Sequence, residues 1–194
     1  YYSYEDYYTL VACPLDAENS FKRMTSLINA ATPKLKMTLQ LRKIEKIKIA
    51  VDEWNVWHRE ANPPESPILA GYQKLTLQDG LFAAGMFHVM ADPRNGVGMA
   101  NLCNLSNSGA SGPITTNEQT VYVNPQYLAF RLYRHHTGDT VLSSTTEVDT
   151  YEASHVDLTS MVMGEGIGDI MTGGPKKNRV PYLDCLATLD EEKA

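Results

Sequence analysis

Asp52, Glu53, Trp54, Asn55 and Trp57 crowd the end of an apolar, β-branched run, Lys48-Ile49-Ala50-Val51. These side-chain types suit sugars: rings stack on sugar faces, amides bond hydroxyls, and a carboxylate can attack an anomeric carbon or move a proton. Strand side chains alternate in direction, so at most one of the adjacent acids is expected to face a common cleft. Glu53 has the longer reach and is the preferred reactive carboxylate. The plainer alternative is an acidic strand end bonded only to nearby loop backbone or a basic side chain.

Other polar candidates are weaker. Gln119 follows a polar loop, and Asn101 and Asn104 lie at and just past a second apolar run, where solvated or strand-end amides are common. His58, His135 and His136 stand in no metal-ligand pattern, so no metal site is expected. Gly164-Glu165-Gly166-Ile167-Gly168 lacks the following helix that a phosphate loop needs. No nucleophile elbow and no Cys–His nucleophile site is present.

The elements that must position these groups can be read from periodicity. Ile47–Glu53 and Val97–Cys103 have the pattern of fully buried parallel strands. A helix is expected from an N-cap at Asp16 to about Ala31, burying Phe21, Met24, Leu27, Ile28 and Ala31 and stopped by Pro33. Tyr1–Tyr8 reads as an aromatic loop. A second helix over Leu77–Ala91 is expected to turn Leu81, Ala84, Gly85, His88 and Val89 to one face. A third starts at an Asn124 cap with Pro125 in first position and runs to about His135. Long loops are expected over 58–76 and 104–119. Alternation of helix and strand implies a parallel sheet with crossover helices. Beyond residue 138 the pattern changes: Thr140–Thr150 and Val180–Leu189 read as strands and Val156–Gly174 as loop, the start of a β domain.

Composition sets outer bounds. The chain has 194 residues, 43% of them hydrophobic and 21% charged, an ordinary globular balance. A net charge of −6 argues against nucleic acid as the main partner. The basic stretch Lys34–Lys48 reads as a solvated helix end and loop. Cys13, Cys103 and Cys185 are odd in number and widely spaced, which predicts free thiols rather than a disulfide framework. No apolar run reaches the length of a membrane span. Both ends read as cut points, without an initiator Met or a leader.

The Asp52–Trp57 run resembles the nucleophile motif of the α-L-arabinofuranosidases of glycoside hydrolase family 51. Tyr1-Tyr2 resembles the end of that family's His-x-Tyr-Tyr segment, Asp79-Gly80-Leu81 to Met90 its next helix, and Ala100-Asn101-Leu102-Cys103-Asn104 its eighth strand. Gln119-Thr120-Val121-Tyr122 with Pro125 resembles the segment before its last barrel helix. Val180-Pro181-Tyr182-Leu183-Asp184 resembles a strand of its C-terminal sandwich.

The resemblance implies an α/β fold: the C-terminal portion of a (β/α)8 TIM barrel over 1–137, followed by part of an all-β sandwich over 138–194. It implies Glu53 as catalytic nucleophile, Tyr1 and Gln119 as sugar contacts, Trp57 as an aromatic wall and Asn104 as a support of the cleft. The implied activity is retaining hydrolysis of terminal α-L-arabinofuranosyl units from arabinose-containing oligo- or polysaccharides. No cofactor, no metal, no nucleic acid and no membrane partner is implied. A homo-oligomer is, in the cytoplasm or, as a second option, secreted. The family's acid/base glutamate has no counterpart here, so the 194 residues alone are expected to be inactive. Two alternatives stay open: a xylan- or glucan-active barrel glycosidase, and a non-catalytic carbohydrate-binding module that stacks sugars on its tyrosines and Trp57.

Overall fold

The computed structural model describes residues 4–38, 46–56, 75–107, 112–154 and 177–192. Strands β1 (Ile49–Trp54) and β2 (Val97–Leu102) pair in parallel, with Val51 opposite Ala100 and Trp54 opposite Leu102. A parallel pair needs a long crossover, and helix α2 (Leu77–Ala91) lies in it. The second helix thus has the expected bounds. Its start is set locally: the Thr76 main-chain N–H donates to the Asp79 carboxylate at 2.6 Å. At its other end Pro93–Asn95 form a single 3-10 turn. Gly96, at φ 70°, then redirects the chain into β2 in a conformation that favours glycine. Helix α3 (Pro125–His136) also begins as expected, with the Asn124 side chain accepting from the Tyr127 N–H at 3.2 Å.

The main core gathers Phe21, Trp54, Val56, Phe82, Ala83, Met86 and Val89, with Phe87 and Phe130 packed against them. The Trp54 ring stacks on Phe130 at 6.0 Å and meets Phe87 edge-on at 5.8 Å. Two expectations are corrected here. In α2 the buried face carries Phe82, Ala83, Met86 and Val89, whereas Leu81 is exposed. Apolar residues surround this helix, so periodicity alone does not single out a face. Nor is β1 fully buried: Ala50, Asp52 and Glu53 are exposed, while Ile49, Val51 and Trp54 pack on the core.

The first helix departs most from expectation. α1 spans Tyr4–Thr38, with Pro14 and Pro33 inside it. Residues 4–8 are therefore helix rather than loop. Asp16 is a buried mid-helix residue rather than a cap, bonded by the Asn178 side-chain amide. An interior proline costs a helix about 3 kcal/mol. Burial of Cys13, Ala17 and Phe21 against the core, and of Ala12 against a second small cluster, offsets that cost at Pro14. Nothing in the structure explains the continuation through Pro33. Of the residues expected to be buried, Phe21 is; Ile28 is half-buried, and Met24, Leu27 and Ala31 are exposed.

The remaining strands pair antiparallel. β3 (Ile114–Thr116) and β4 (Val121–Val123) form a hairpin inside and just after the stretch expected to be loop. Three residues per strand are too few to show an alternation. β5 (Thr140–Leu142) pairs with β8 (Ala187–Leu189), and β6 (Thr150–Ser154) with β7 (Lys177–Pro181). The strand expectations beyond residue 138 thus hold in shorter, divided form. The loops expected over 58–74 and Val156–Gly174 lie outside the described residues. Among the described residues no helix is long and apolar enough to cross a membrane.

Candidate active site

Because β1 and β2 run the same way, their C-terminal ends open on one side. Glu53 and Asn55 arrive there from β1, and Cys103 and Asn104 from just past β2. The junction is pinned by main-chain bonds. The Cys103 N–H donates to the Trp54 carbonyl at 3.1 Å, and Asn55 Nδ2 donates to the Cys103 carbonyl at 2.8 Å. Asn55 Oδ1 accepts from its neighbour's N–H, that of Val56, at 2.7 Å, and from Gln126 Nε2 at 2.8 Å. Gln126 is fully buried in the first turn of α3. One amide therefore ties both strand ends to the last helix.

Glu53 and Asp52 are both exposed. The half-buried Cys103 thiol donates to Asn104 Oδ1 at 2.9 Å. Burial, and after it the charge of Glu53, pushes the thiol pKa up. The other cysteines are free and remote from this cluster. Cys13 is buried in α1, its pKa pushed up to about 12 by burial and then by Asp16, and Cys185 is exposed.

Of the expected site residues, Glu53 lies near the end of β1 and Asn104 just past the end of its parallel partner β2. Gln119 is exposed in the turn of the β3–β4 hairpin, where its N–H donates to Asn117 Oδ1 at 2.9 Å. That hairpin is tied to the loop after β2 by Ile114 N–H to Leu105 carbonyl and Asn107 N–H to Ile114 carbonyl bonds of 3.3 and 3.0 Å. Gln119 thus belongs to the same cluster of loops, without touching Glu53 among the described residues. Tyr1 and Trp57 lie outside the described residues.

Two expectations fail for stated reasons. Trp54 is a core residue: the register shift between Val51 and Trp54 breaks the alternation, so that both pack inward while Asp52 and Glu53 are exposed. Asn55 is bonded to protein partners rather than presented to a sugar. Cys103 and Gln126 were not foreseen. Register counting from Trp54 opposite Leu102 would have brought Cys103 to the mouth. No sequence signal marks Gln126. Among the described residues no group of His, Cys, Asp and Glu could hold a metal ion.

Comparison with known proteins agrees with this architecture. The family model described as the α-L-arabinofuranosidase C-terminal domain matches residues 52–190. The chain is 26% identical over 140 residues to an intracellular exo-α-L-arabinofuranosidase of Bacteroides ovatus, covering 71% of this chain and 24% of that protein. The crystal structure of the Thermotoga maritima α-L-arabinofuranosidase arabinose complex superposes with a TM-score of 0.66 at 25% identity, over 98% of this chain and 34% of that one. The thermostable family 51 α-L-arabinofuranosidase of Thermotoga petrophila RKU-1 gives a TM-score of 0.52 at 24% identity, over 88% and 32%. The chain thus spans about a quarter to a third of these relatives. It belongs to the α-L-arabinofuranosidase C-terminal domain family.

Proposed function

We propose that the protein is a retaining glycoside hydrolase that removes terminal α-L-arabinofuranosyl units from arabinose-containing oligo- or polysaccharides, with Glu53 as nucleophile. The observation that carries this is an exposed glutamate at the C-terminal end of a parallel strand in a chain of this family. Glu53 attacks the anomeric carbon and forms a glycosyl-enzyme. A second carboxyl, about 5 to 5.5 Å away in retaining enzymes, protonates the leaving oxygen and then activates water.

Residues 1–137 are read as the last part of a (β/α)8 barrel, with β1 and β2 as consecutive barrel strands, and 138–194 as part of a β-sandwich. The crossover through α2 and the switch to antiparallel pairs after α3 support that reading. Asn104, Gln119, Tyr1 and Trp57 complete the sugar pocket, the second carboxyl comes from elsewhere in the protein, and the active form is an oligomer.

Glu53→Gln should lower turnover of an aryl α-L-arabinofuranoside by roughly 10⁴-fold. Added azide should restore turnover to Glu53→Gly as a glycosyl azide, because a small nucleophile takes the vacated place. Residues 1–194 alone should show no turnover. Undiminished hydrolysis by Glu53→Gln would overturn the assignment. Faster turnover of an aryl xyloside or glucoside would instead favour a xylan- or glucan-active enzyme.

A further inference from the structure

We infer that Asn117 is a positioning residue for Gln119: its side-chain oxygen holds the β3–β4 turn in the conformation that presents Gln119 to the sugar. The inference rests on the reading of Gln119 as a sugar contact. Each strand of this hairpin has three residues, and residues 117–120 between them are exposed. A hairpin so short is marginal on its own, so its turn needs a further constraint. Asn117 supplies it. Its Oδ1 accepts from the Gln119 N–H at 2.9 Å, from the Thr120 N–H at 2.8 Å and from the Thr120 hydroxyl at 2.8 Å. Its own N–H donates to the Thr120 carbonyl at 3.0 Å and closes the turn from the other side. An asparagine oxygen bonded to the backbone two residues on fixes a turn in this way. Asn107 carries the constraint back to the candidate site. Its side chain donates to the Thr116 hydroxyl and accepts from the Thr116 N–H, both at 2.8 Å. Asn107 stands in the loop after β2, the loop that also bears Asn104. Two asparagines in series therefore fix the Gln119 main chain relative to that loop.

The first test needs no substrate. Hydrogen exchange of the 114–123 peptide is followed by mass spectrometry in the full-length protein. Asn117→Ala should speed exchange of the Gln119 and Thr120 amides about fivefold. Asn117→Asp should not, because all three bonds use an oxygen that aspartate keeps. Unchanged exchange in Asn117→Ala would overturn the inference. The second test is kinetic. Asn117→Ala should lower kcat/KM for an aryl α-L-arabinofuranoside about fivefold, and Asn117→Asp should retain it. In a Gln119→Ala background the Asn117→Ala loss should vanish, since the side chain it positions is already gone. Full kcat/KM in Asn117→Ala beside an impaired Gln119→Ala would overturn the inference. So would a loss that persists in the Gln119→Ala background, which marks a purely structural role. Full activity in Gln119→Ala would instead remove the sugar-contact reading, and the inference with it.

Discussion

Asn55 holds three partners on one amide: the Cys103 carbonyl, the Gln126 amide and the Val56 N–H. Its type was legible in the sequence as a group able to bond hydroxyls. Its partners were not, because they come from residues 48 and 71 positions away. Asn55→Ala should strand the buried Gln126 amide and cost about 1–3 kcal/mol in urea unfolding, the cost of an unmet buried donor. A loss below about 0.5 kcal/mol would show that water replaces the bond. Glu53 was legible only as the acid of longer reach; both acids are exposed, because the register shift between Val51 and Trp54 interrupts the alternation. That shift shows only once the parallel pairing is known.

At the scale of elements, α1 and α2 meet where Pro14 lies on Gly85. A Cβ at residue 85 would sit 2.8 Å from the proline ring, inside any real contact distance. Alanine would gain about 1 kcal/mol of helix propensity over glycine, but overpacking against a rigid ring typically costs about 1–3 kcal/mol. Gly85→Ala should therefore lower the unfolding midpoint. A rise would mean that α1 can move away at little cost. The starts of α2 and α3 were readable because caps are local chemistry, carried by Asp79 and by Asn124 with Pro125. α1 was not, because its continuation through Pro14 depends on Gly85 and on burial against distant strands.

Across the whole molecule, the segment between β7 and β8 is tied to the helix layer by a short chain of bonds. Asp184 Oδ2 meets His88 Nδ1 at 2.7 Å, and His88 Nε2 meets the Tyr133 hydroxyl. A carboxylate only accepts, so the proton of the first bond is on Nδ1 and Nδ1–H donates to Asp184. The His88 bond holds the Asp184 carboxyl below the usual carboxylate range. A group whose pKa is lower folded than unfolded stabilises the fold above the unfolded value, and that contribution is lost as pH falls through the folded one. Stability should thus drop as pH falls below the ordinary carboxylate range, by an amount that Asp184→Asn removes. Because Asp184 is largely exposed, the difference should be about 1 kcal/mol or less. Parallel pH profiles for the two proteins would exclude this tie.

The sequence by itself determined the βαβ order, the Asn124 cap, the free cysteines and the family resemblance. Each follows from backbone geometry, capping chemistry or a contiguous motif. Only the tertiary structure decided which apolar faces are covered: Phe21 is buried while Leu27, on the same helix and in the same expected stripe, is 64% exposed. It likewise decided that Asn55 binds protein and that the Cys103 thiol donates to Asn104. Periodicity marks a face as able to be buried, and side-chain type marks a group as able to bond. The partner in each case comes from a distant part of the chain, and only the packed fold names it.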